Sequence, residues 1–339
     1  MTARSADGEQ PRPAPARAST AAQVSLQLKV ARRFYVEDIS KVEIAKEFGI
    51  SRFQVARLLQ SARDSGVVRI TVEMGPGDHP ELASQLADQL GLLRCAVLGG
   101  AEGDGSVGGR RVRLGELAAQ ELSNALTPGD VLGLPWSRSV SATVAALRSL
   151  PPVAVVQLSG ARYEVGADQS SAPADMVRDV AAIAGGRGYR FHAPFIAPDE
   201  AAAAYLRRDP AYAAAHQHVS SVTVSAVSVG AFGPGLSTLY EAATPEEIDE
   251  LVAGGAVGEV SGVFIDDAGR HVPNRFERRL LTTTAEELRA IPQVIGICMG
   301  ADRARAIAAA CRGGFVDSLV VDVPLAHELL RDDYRASRG

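Results

Sequence analysis

The segment that begins at Ser51 carries side chains whose chemistry suits the reading of nucleic-acid bases. Arg52 and Arg57 offer paired N–H donors that match the acceptors on a guanine edge, and the Gln54 amide offers the donor and acceptor that match adenine. Phe53 lies between Arg52 and Gln54 in the sequence. Gln54 also stands three residues after Ser51, which is the spacing of a helix capping box. The pattern therefore leaves two roles open for Gln54, a base contact or closure of the cap.

A helix-turn-helix is the element that would present these side chains. Ser40-Lys41-Val42-Glu43 has the form of another capping box, so a helix is expected from residue 41. Ala45 is small enough for two helices to cross closely, and Gly49 permits a positive φ in the turn between them. Val55 and Leu58 then fall on the inner face of the second helix. The alternative is a plain helical hairpin whose charges are only solvated. The candidate DNA-binding residues are Ser40, Ser51, Arg52, Phe53, Gln54 and Arg57.

The residues around this motif complete a small N-terminal domain. An additional helix is predicted from apolar residues at helical spacing, namely Val24, Leu28, Ala31 and Tyr35. The β-branched segment 67–72 predicts a short strand, which would make the motif a winged helix-turn-helix. Residues 1–22 are rich in Pro, Ala, Ser and Arg without periodicity, and we expect them to be disordered. The domain is expected to span residues 23–73.

A second polar stretch, Trp136-Ser137-Arg138-Ser139, suits the binding of an anion. It follows a predicted strand at 131–134 and opens a predicted helix, so backbone N–H groups would point at a bound phosphate while the Ser hydroxyls and the Arg hold it. Gly160 follows the next predicted strand and could allow close backbone approach. The alternative for the Trp136 stretch is an ordinary strand–helix turn.

The remainder of the chain alternates between apolar runs and helical patterns. Strands are predicted at 94–98, 131–134, 153–158, 222–229, 294–299 and 319–322. Helices are predicted at 81–90, 110–126, 139–150, 174–184, 245–252, 302–311 and 324–330. Helical crossovers between consecutive strands imply a doubly wound, mostly parallel α/β domain, here residues 74–339. Ligands of such sheets bind outside the carboxyl ends of the strands, where the Trp136 stretch lies.

Composition restricts the class of protein. The 339 residues are 46% apolar with a net charge of −5, which excludes a disulfide-stapled mini-protein and a wholly disordered chain. Residues 23–73 carry nine basic and six acidic groups, whereas residues 74–339 carry the net negative charge. Cys95, Cys298 and Cys311 are widely spaced and are expected to be small buried hydrophobes in a reducing compartment. No secretory signal or membrane span is visible, so we expect a cytoplasmic protein.

The N-terminal segment LQLKVARRFYVEDISKVEIAKEFGISRFQVARLLQSARDSGVVRITV resembles the DNA-binding domain of SorC-type transcriptional regulators. Later segments resemble the effector domain of the same family: GDVLGLPWSRSVSATVAAL, VVQLSGA, GGAVGEVSGVFIDDAGR, ELRAIPQVIGICMGADRARAI and GGFVDSLVVDVPLAHELL. The resemblance covers roughly residues 24–330. It implies an effector domain similar in fold to sugar-phosphate isomerases and glucosamine-phosphate deaminases, which binds a phosphorylated sugar without converting it.

The resemblance also implies roles for two further residues. Glu259 falls where relatives carry an acidic residue suited to accepting protons from sugar hydroxyls. Arg303 falls where relatives usually carry a lysine; the arginine keeps the positive charge and the phosphate affinity but does not readily form a Schiff base. The usual GWG.T loop of the family is altered to PWSRS, which leaves the preferred sugar open. The candidate effector-binding residues are Trp136, Ser137, Arg138, Ser139, Gly160, Glu259 and Arg303.

Other patterns carry less weight. Residues 103–108 fit G-x-G-x-x-G, but the glycine-rich loop before them is too long for the tight turn of a dinucleotide site. His216 and His218 lack a nearby carboxylate or cysteine in the sequence, so a structural role is favoured over a metal site. Asp267 and Asp322 are expected to form turns. No catalytic residue, metal or cofactor is predicted.

These patterns together predict a DNA-binding transcriptional regulator of carbohydrate metabolism. Its partners would be double-stranded operator DNA and a phosphorylated sugar effector, with no membrane. Specific binding by so small a DNA-binding domain requires a homo-oligomer, either a dimer or a tetramer. The alternative function is a sugar-phosphate isomerase or deaminase with an accessory helical domain. The sequence shows no evident set of general acid and base residues beside Trp136, which argues against this enzyme.

Overall fold

The computed structural model describes residues 21–35, 37, 39–65, 67–68, 79–99, 106–162, 173–331 and 334. The chain divides into two compact units, residues 1–73 and residues 74–339. The first helix begins at Ala21, two residues inside the segment expected to be disordered; residues 1–20 lie outside the described residues. The strand expected at 67–72 falls mostly on residues that are not described, and residues 67 and 68 form a bend.

Three helices build the N-terminal unit, as predicted. They are α1 (Ala21–Tyr35), α2 (Lys41–Phe48) and α3 (Arg52–Asp64). Their shared core contains Val30, Ile44 and Val55, all fully buried. Of the apolar residues whose spacing predicted α1, Leu28 is nevertheless 49% exposed. The helix instead buries Gln27, whose Nε2 donates to Ser65 Oγ at 3.0 Å.

The turn between α2 and α3 has the predicted geometry. Ser40 Oγ accepts from the Glu43 N–H at 3.3 Å, and the Glu43 carboxylate accepts from the Ser40 N–H at 3.2 Å, which closes the capping box. Gly49 ends α2 with φ of 63°, a left-handed conformation that other residues adopt at a cost of about 1–2 kcal/mol. On α3 the fully buried face carries Val55 and Leu59, whereas Leu58 is only partly buried.

The second unit is built on a seven-stranded sheet in which every paired strand of the described residues is parallel. Its strands are β1 (Arg94–Leu98), β2 (Val131–Leu134), β3 (Ala154–Gln157), β4 (Gly188–Tyr189), β5 (Val224–Val227), β9 (Gln293–Cys298) and β10 (Ser318–Asp322). The order in space is β1-β10-β9-β5-β2-β3-β4. The chain winds outward from β2 in one direction and from β5 in the other, so the predicted doubly wound fold is confirmed, and the topological switch point lies between these two strands.

Helices surround this sheet, and two large apolar cores contain residues from its strands. The helices are α4 (Pro80–Leu90), α5 (Val107–Ala125), α6 (Arg138–Ala146), α7 (Pro173–Ala184), α8 (Glu200–Arg207), α9 (Pro210–His216), α10 (Pro245–Ala253), α11 (Ala285–Arg289), α12 (Ala304–Arg312) and α13 (Val323–Leu329). The short helices α8 and α9 were not predicted, because their alanine-rich sequences lack a clear apolar stripe.

A separate antiparallel sheet of three strands was also not predicted. It consists of β6 (Val229–Ala231), β7 (Ala256–Val260) and β8 (Val263–Asp266) in the order β6-β7-β8. The predicted strand at 222–229 is in fact broken at Ser228 into β5 and β6, which belong to different sheets. Gly258 on β7 is required because a Cβ there would lie 2.5 Å from the Cβ of Ala306 on α12. This packing brings β7 against α12.

Candidate functional site

The first turn of α3 is the exposed surface of the N-terminal unit that the sequence singled out. Arg52, Phe53, Gln54 and Arg57 are all exposed, and Phe53 is 87% exposed, unusual for so large an apolar side chain. Within the described residues neither Arg52 nor Arg57 forms an ion pair, so both guanidinium groups are available. Arg33 on α1, by contrast, pairs with Glu47 at 2.6 Å and with Glu37.

Gln54 closes the cap of α3. The Ser51 N–H donates to Gln54 Oε1 at 2.9 Å, and the Gln54 N–H donates to Ser51 Oγ at 3.1 Å. The hydroxyl of Ser40 is committed in the same way at the start of α2, where it also donates to the Glu43 carboxylate at 2.7 Å. Arg52, Phe53 and Arg57 are thus the predicted contact residues whose side chains have no capping role. A base contact by Gln54 stays a prediction.

A cavity of about 410 Å³ opens at the carboxyl ends of the parallel strands in the second unit. Residues just beyond the strand ends line it: Trp136 lies two residues after β2, Ser228 directly follows β5 and Met299 directly follows β9. The cavity therefore lies at the switch point, where doubly wound folds bind their ligands. It brings together six of the seven predicted effector-binding residues, namely Trp136, Ser137, Arg138, Ser139, Glu259 and Arg303.

Gly160 does not line this cavity. A Cβ at this position would lie 2.3 Å from the carbonyl oxygen of Pro194, and the Gly160 N–H donates to the Leu281 carbonyl at 2.7 Å. The close backbone approach that Gly160 allows is therefore to the Pro194 segment of the same unit. The expected contact with a ligand has no support in this geometry.

The Trp136 loop is held to the sheet and opens α6. The Trp136 N–H donates to the buried Ser159 Oγ at 2.8 Å. Ser137 caps the helix, since its Oγ accepts from the Val140 N–H at 3.0 Å. Arg138 is the first helical residue, and the described residues contain no acidic partner for it. A cation at this helix end is disfavoured by the helix dipole, which makes the location favourable for an anion.

Glu259 reaches the cavity from β7. Its Oε2 accepts from the Gly262 N–H at 3.0 Å, and its Oε1 accepts from Ser237 Oγ at 3.3 Å. Burial raises the pKa of this carboxyl to about 7, and the two hydrogen bonds oppose that rise. The hairpin that follows uses Ser261 (φ 53°) and Gly262 (φ 94°) in a two-residue turn with positive φ at both positions. Among the described residues Ser261 is the one non-glycine with positive φ, and it lines the cavity.

Arg303 lies immediately before α12 and closes another side of the cavity. Its Nη1 donates to Asp302 Oδ1 at 2.9 Å, and its Nη2 donates to the Leu236 carbonyl at 3.4 Å. Asp322, expected to form a turn, caps α13 and accepts from the Gly300 N–H at 3.0 Å. It also borders the cavity, as does Asp302. The sequence showed no acid–base constellation beside Trp136, and the structure places the Glu259 carboxylate in the same cavity as Trp136.

Two arginines of the cavity were among the lining residues that the sequence did not reveal. Arg110 and Arg111 extend from the first turn and a half of α5 into the same space. Burial lowers the pKa of the Arg111 guanidinium from its ordinary value, and the positive charges of Arg138 and Arg303 lower it further. Consecutive arginines near the N-terminus of a helix oppose the helix dipole. That unfavourable placement is the sequence signal that could have revealed them.

The patterns given less weight have structural roles where they are described. His216 on α9 pairs with Glu287 at 2.9 Å, which lowers the pKa of that carboxyl to about 2, and His218 stacks on Tyr189 at 3.6 Å. Asp267 is exposed and pairs with Arg305 at 2.8 Å. In the described ranges no three His, Cys, Asp or Glu side chains are arranged to hold a metal ion. Of the glycine-rich loop 103–108, residues 103–105 lie outside the described residues.

The fold and the cavity define an α/β ligand-binding domain joined in one chain to a helix-turn-helix unit. The chain belongs to the Sugar-bind family, described as "Putative sugar-binding domain", whose model matches residues 76–331. None of the helices that the structure describes is both long and apolar enough to cross a membrane.

Relatives match almost the whole chain. The sorbitol operon regulator of Klebsiella pneumoniae is 26% identical over 91% of this chain and 98% of its own length. The transcriptional regulator LsrR of Escherichia coli K12 is 28% identical over 89% of this chain and 93% of its own. The crystal structure of the full-length sorbitol operon regulator SorC from Klebsiella pneumoniae has a TM-score of 0.66 at 24% identity and covers 92% of this chain and 100% of that one. The resemblance to SorC-type regulators is confirmed.

Proposed function

We propose that this protein is a DNA-binding transcriptional regulator of carbohydrate metabolism whose operator affinity is modulated by a phosphorylated sugar. The observation that carries the proposal is the pairing, in one chain, of an exposed helix-turn-helix with a cavity at the switch point of an α/β sheet. The names of the relatives support the same function. The protein would act in the cytoplasm as a homo-oligomer, a dimer or a tetramer.

The N-terminal unit would place the start of α3 in the major groove. Arg52 and Arg57 would donate to guanine edges or to phosphates, and the Phe53 ring would contact the methyl group of a thymine. Ser40 and Ser51 stand at the starts of α2 and α3, where backbone N–H groups favour contacts with the phosphate backbone. In a dimer, two such units would read half-sites separated by about one helical turn of DNA.

The cavity would hold the effector without a covalent bond. The start of α6, from Trp136 to Ser139, would bind a phosphoryl group together with Arg303, and Glu259 would accept protons from sugar hydroxyls. The three lysines of the chain are Lys29, Lys41 and Lys46, so residues 74–339 contain no lysine at all. Schiff-base capture of an open-chain sugar needs a lysine amine. The second unit therefore has no residue for that chemistry.

The effector would act by favouring one of two quaternary arrangements that differ in operator affinity. A coupling of about 1–3 kcal/mol between the two sites changes that affinity roughly five- to a hundredfold. Such a coupling requires only that the ligand make different contacts in the two arrangements.

One observation favours a second function, that of a sugar-phosphate isomerase. Glu259, with a pKa of about 7, has the protonation behaviour of a general acid or base at neutral pH and lines the ligand cavity. Isomerisation through an enediol needs such a carboxylate close to the substrate. The lack of lysine does not argue against this route, so an experiment must separate the two functions.

The test measures substrate conversion and operator binding on the same sample of full-length protein. Candidate hexose and pentose phosphates are incubated with the protein, and conversion is followed by NMR while operator binding is followed by fluorescence anisotropy, on a DNA fragment selected from random sequence. A regulator changes its operator affinity without turnover. Turnover that is lost in Glu259→Gln and retained in the exposed control Glu116→Gln would instead establish the isomerase.

A further inference from the structure

The cavity is lined by several arginines, and most of them have no carboxylate partner in the part of the chain that the structure describes. Four arginines line it, namely Arg110, Arg111, Arg138 and Arg303. Three carboxylates line it as well, but each has other partners. Asp302 pairs with Arg303 at 2.9 Å. Asp322 accepts from the N–H groups of Gly300 and Leu325. Glu259 accepts from Gly262 and Ser237. Arg110, Arg111 and Arg138 have no carboxylate partner among the described residues.

These three unpaired arginines also lie where the protein itself disfavours positive charge. Arg138 opens α6 and Arg110 lies at the end of the first turn of α5, so both face unfavourable helix dipoles; Arg111 follows as the fifth residue of α5. Arg111 is close enough to Arg138 and Arg303 for their charges to lower its pKa. The Nε of Arg110 is buried and makes no hydrogen bond to any residue that the structure describes. A buried donor without a partner is costly.

The arginines come from separate elements and so form two groups. Arg138 belongs to the start of α6 and lies beside Ser137 and Ser139, whereas Arg110 and Arg111 come from α5, which packs along α6. A cavity of about 410 Å³ falls in the usual range of roughly 300–1,000 Å³ for sites that enclose a small molecule. One ligand can therefore reach both groups of arginines.

We infer that Arg110 and Arg111 form a second anion subsite, and that the effector is a sugar carrying two anionic groups, such as a sugar bisphosphate or a phosphorylated sugar acid. This inference rests on the proposed function, since it names the ligand class of the same cavity. One anionic group binds at the start of α6, and the other neutralises the arginines of α5. A sugar monophosphate leaves the second group of arginines unneutralised and binds more weakly.

Binding of inorganic phosphate to the full-length protein tests the two subsites directly. Equilibrium dialysis with labelled phosphate is compared between the wild type, Arg110→Gln/Arg111→Gln, Arg138→Gln and the control Arg178→Gln. Arg178 lies on α7 and pairs with Asp175 and Asp179 outside the cavity. We expect each cavity variant to lose one equivalent of phosphate and the control to lose none. If only Arg138→Gln loses an equivalent, the second subsite is refuted and the proposed function stands; if neither cavity variant does, both fail.

Matched sugar ligands then test the ligand class. Glucose 6-phosphate is compared with glucose 1,6-bisphosphate, and fructose 6-phosphate with fructose 1,6-bisphosphate, using the fluorescence of Trp136, the single tryptophan of the chain. 6-Phosphogluconate distinguishes a carboxylate from a second phosphoryl group. We expect the tightest doubly charged ligand to bind at least about tenfold more tightly than its monophosphate partner, a preference that charge-assisted hydrogen bonds to two arginines can supply.

The preference for the doubly charged ligand over the monophosphate must depend on Arg110 and Arg111, the arginines of α5. Arg111→Gln should reduce the ratio between bisphosphate and monophosphate to less than about threefold, while Arg111→Lys, which keeps the charge, should retain most of it. If the monophosphate binds as tightly as the bisphosphate in the wild type, or if Arg111→Gln weakens both equally, the inference is wrong. Arg110→Gln provides the same comparison if Arg111→Gln does not fold.

Discussion

Glu259→Gln is expected to remove a pH dependence from the stability of the α/β unit. Residue Glu259 is only 9% exposed, and the burial of its carboxyl raises the pKa to about 7 from an ordinary value of 4.5. Glutamine has the same shape and keeps both hydrogen bonds, because its oxygen can accept from the Gly262 N–H and its amide can donate to Ser237 Oγ. The substitution therefore removes the ionisation and little else.

The sign and size of the effect follow from the two pKa values. Below pH 4.5 the carboxyl is protonated in both the folded and the unfolded chain, and its full contribution to stability is present. As the pH rises from 4.5 to 7, the unfolded chain releases the proton while the folded chain retains it, so the folded state loses stability. At about 1.4 kcal/mol per pH unit, the loss amounts to about 3 kcal/mol above pH 7.

Trp136 provides the assay, since it lies in the α/β unit and is the single tryptophan of the chain. Urea unfolding is followed by its fluorescence between pH 4.5 and pH 8 for the wild type, Glu259→Gln and Glu116→Gln, whose carboxyl is exposed on α5. We expect the unfolding free energy of Glu259→Gln, minus that of the wild type, to rise by about 3 kcal/mol over this range. The same difference for Glu116→Gln should stay flat. A flat difference for Glu259→Gln would refute the account of a buried, hard-to-ionise carboxyl.

Three further substitutions test other parts of the molecule. Arg52→Ala should cost about 1–3 kcal/mol in affinity for the selected operator if the guanidinium makes a bidentate base contact; an equal loss on unrelated DNA, measured by anisotropy, would make it a phosphate contact. Arg303→Ala should weaken effector binding by roughly tenfold or more and leave operator binding intact; unchanged induction would contradict its assignment. Gly160→Ala should destabilise the α/β unit by about 1–3 kcal/mol, because the added Cβ would meet the Pro194 carbonyl oxygen at 2.3 Å. The urea midpoint checks this, with Gly108→Ala as the control, since its nearest atom is 4.0 Å away.

Local chemistry made parts of this protein predictable. The capping boxes at Ser40 and Ser51, with Gly49 between them, specify where two helices start and where the first one stops, because each signal acts within three or four residues. The longer apolar runs predicted six of the seven strands of the parallel sheet for a similar reason, whereas the two-residue strand β4 was not predicted. The face of α1 was less predictable: Leu28 is exposed, and Gln27 is buried with a hydrogen bond to Ser65, 38 residues further along.

The cavity was predictable only in part. The start of α6 follows a buried strand, so its place at the ligand-binding edge could be read from the order of elements. Glu259 and Arg303 came from family resemblance, and Arg110 and Arg111 were missed. These four side chains come from β7, from the turn before α12 and from α5. The unusual placement of the two arginines on α5 could have drawn attention to them, but it does not indicate that the four side chains converge.

The sequence by itself therefore determined the types and order of the main elements, the turn of the helix-turn-helix and the absence of lysine from the α/β unit. Only the tertiary structure decided which charged side chains share a cavity, that Gly160 packs against the Pro194 segment, and that the Glu259 carboxyl is hard to ionise. The physical reason is the distance along the chain between the groups that interact. Caps, turns and periodicity depend on neighbours a few residues away, whereas burial and electrostatic coupling depend on groups that the fold brings together from distant parts of the chain.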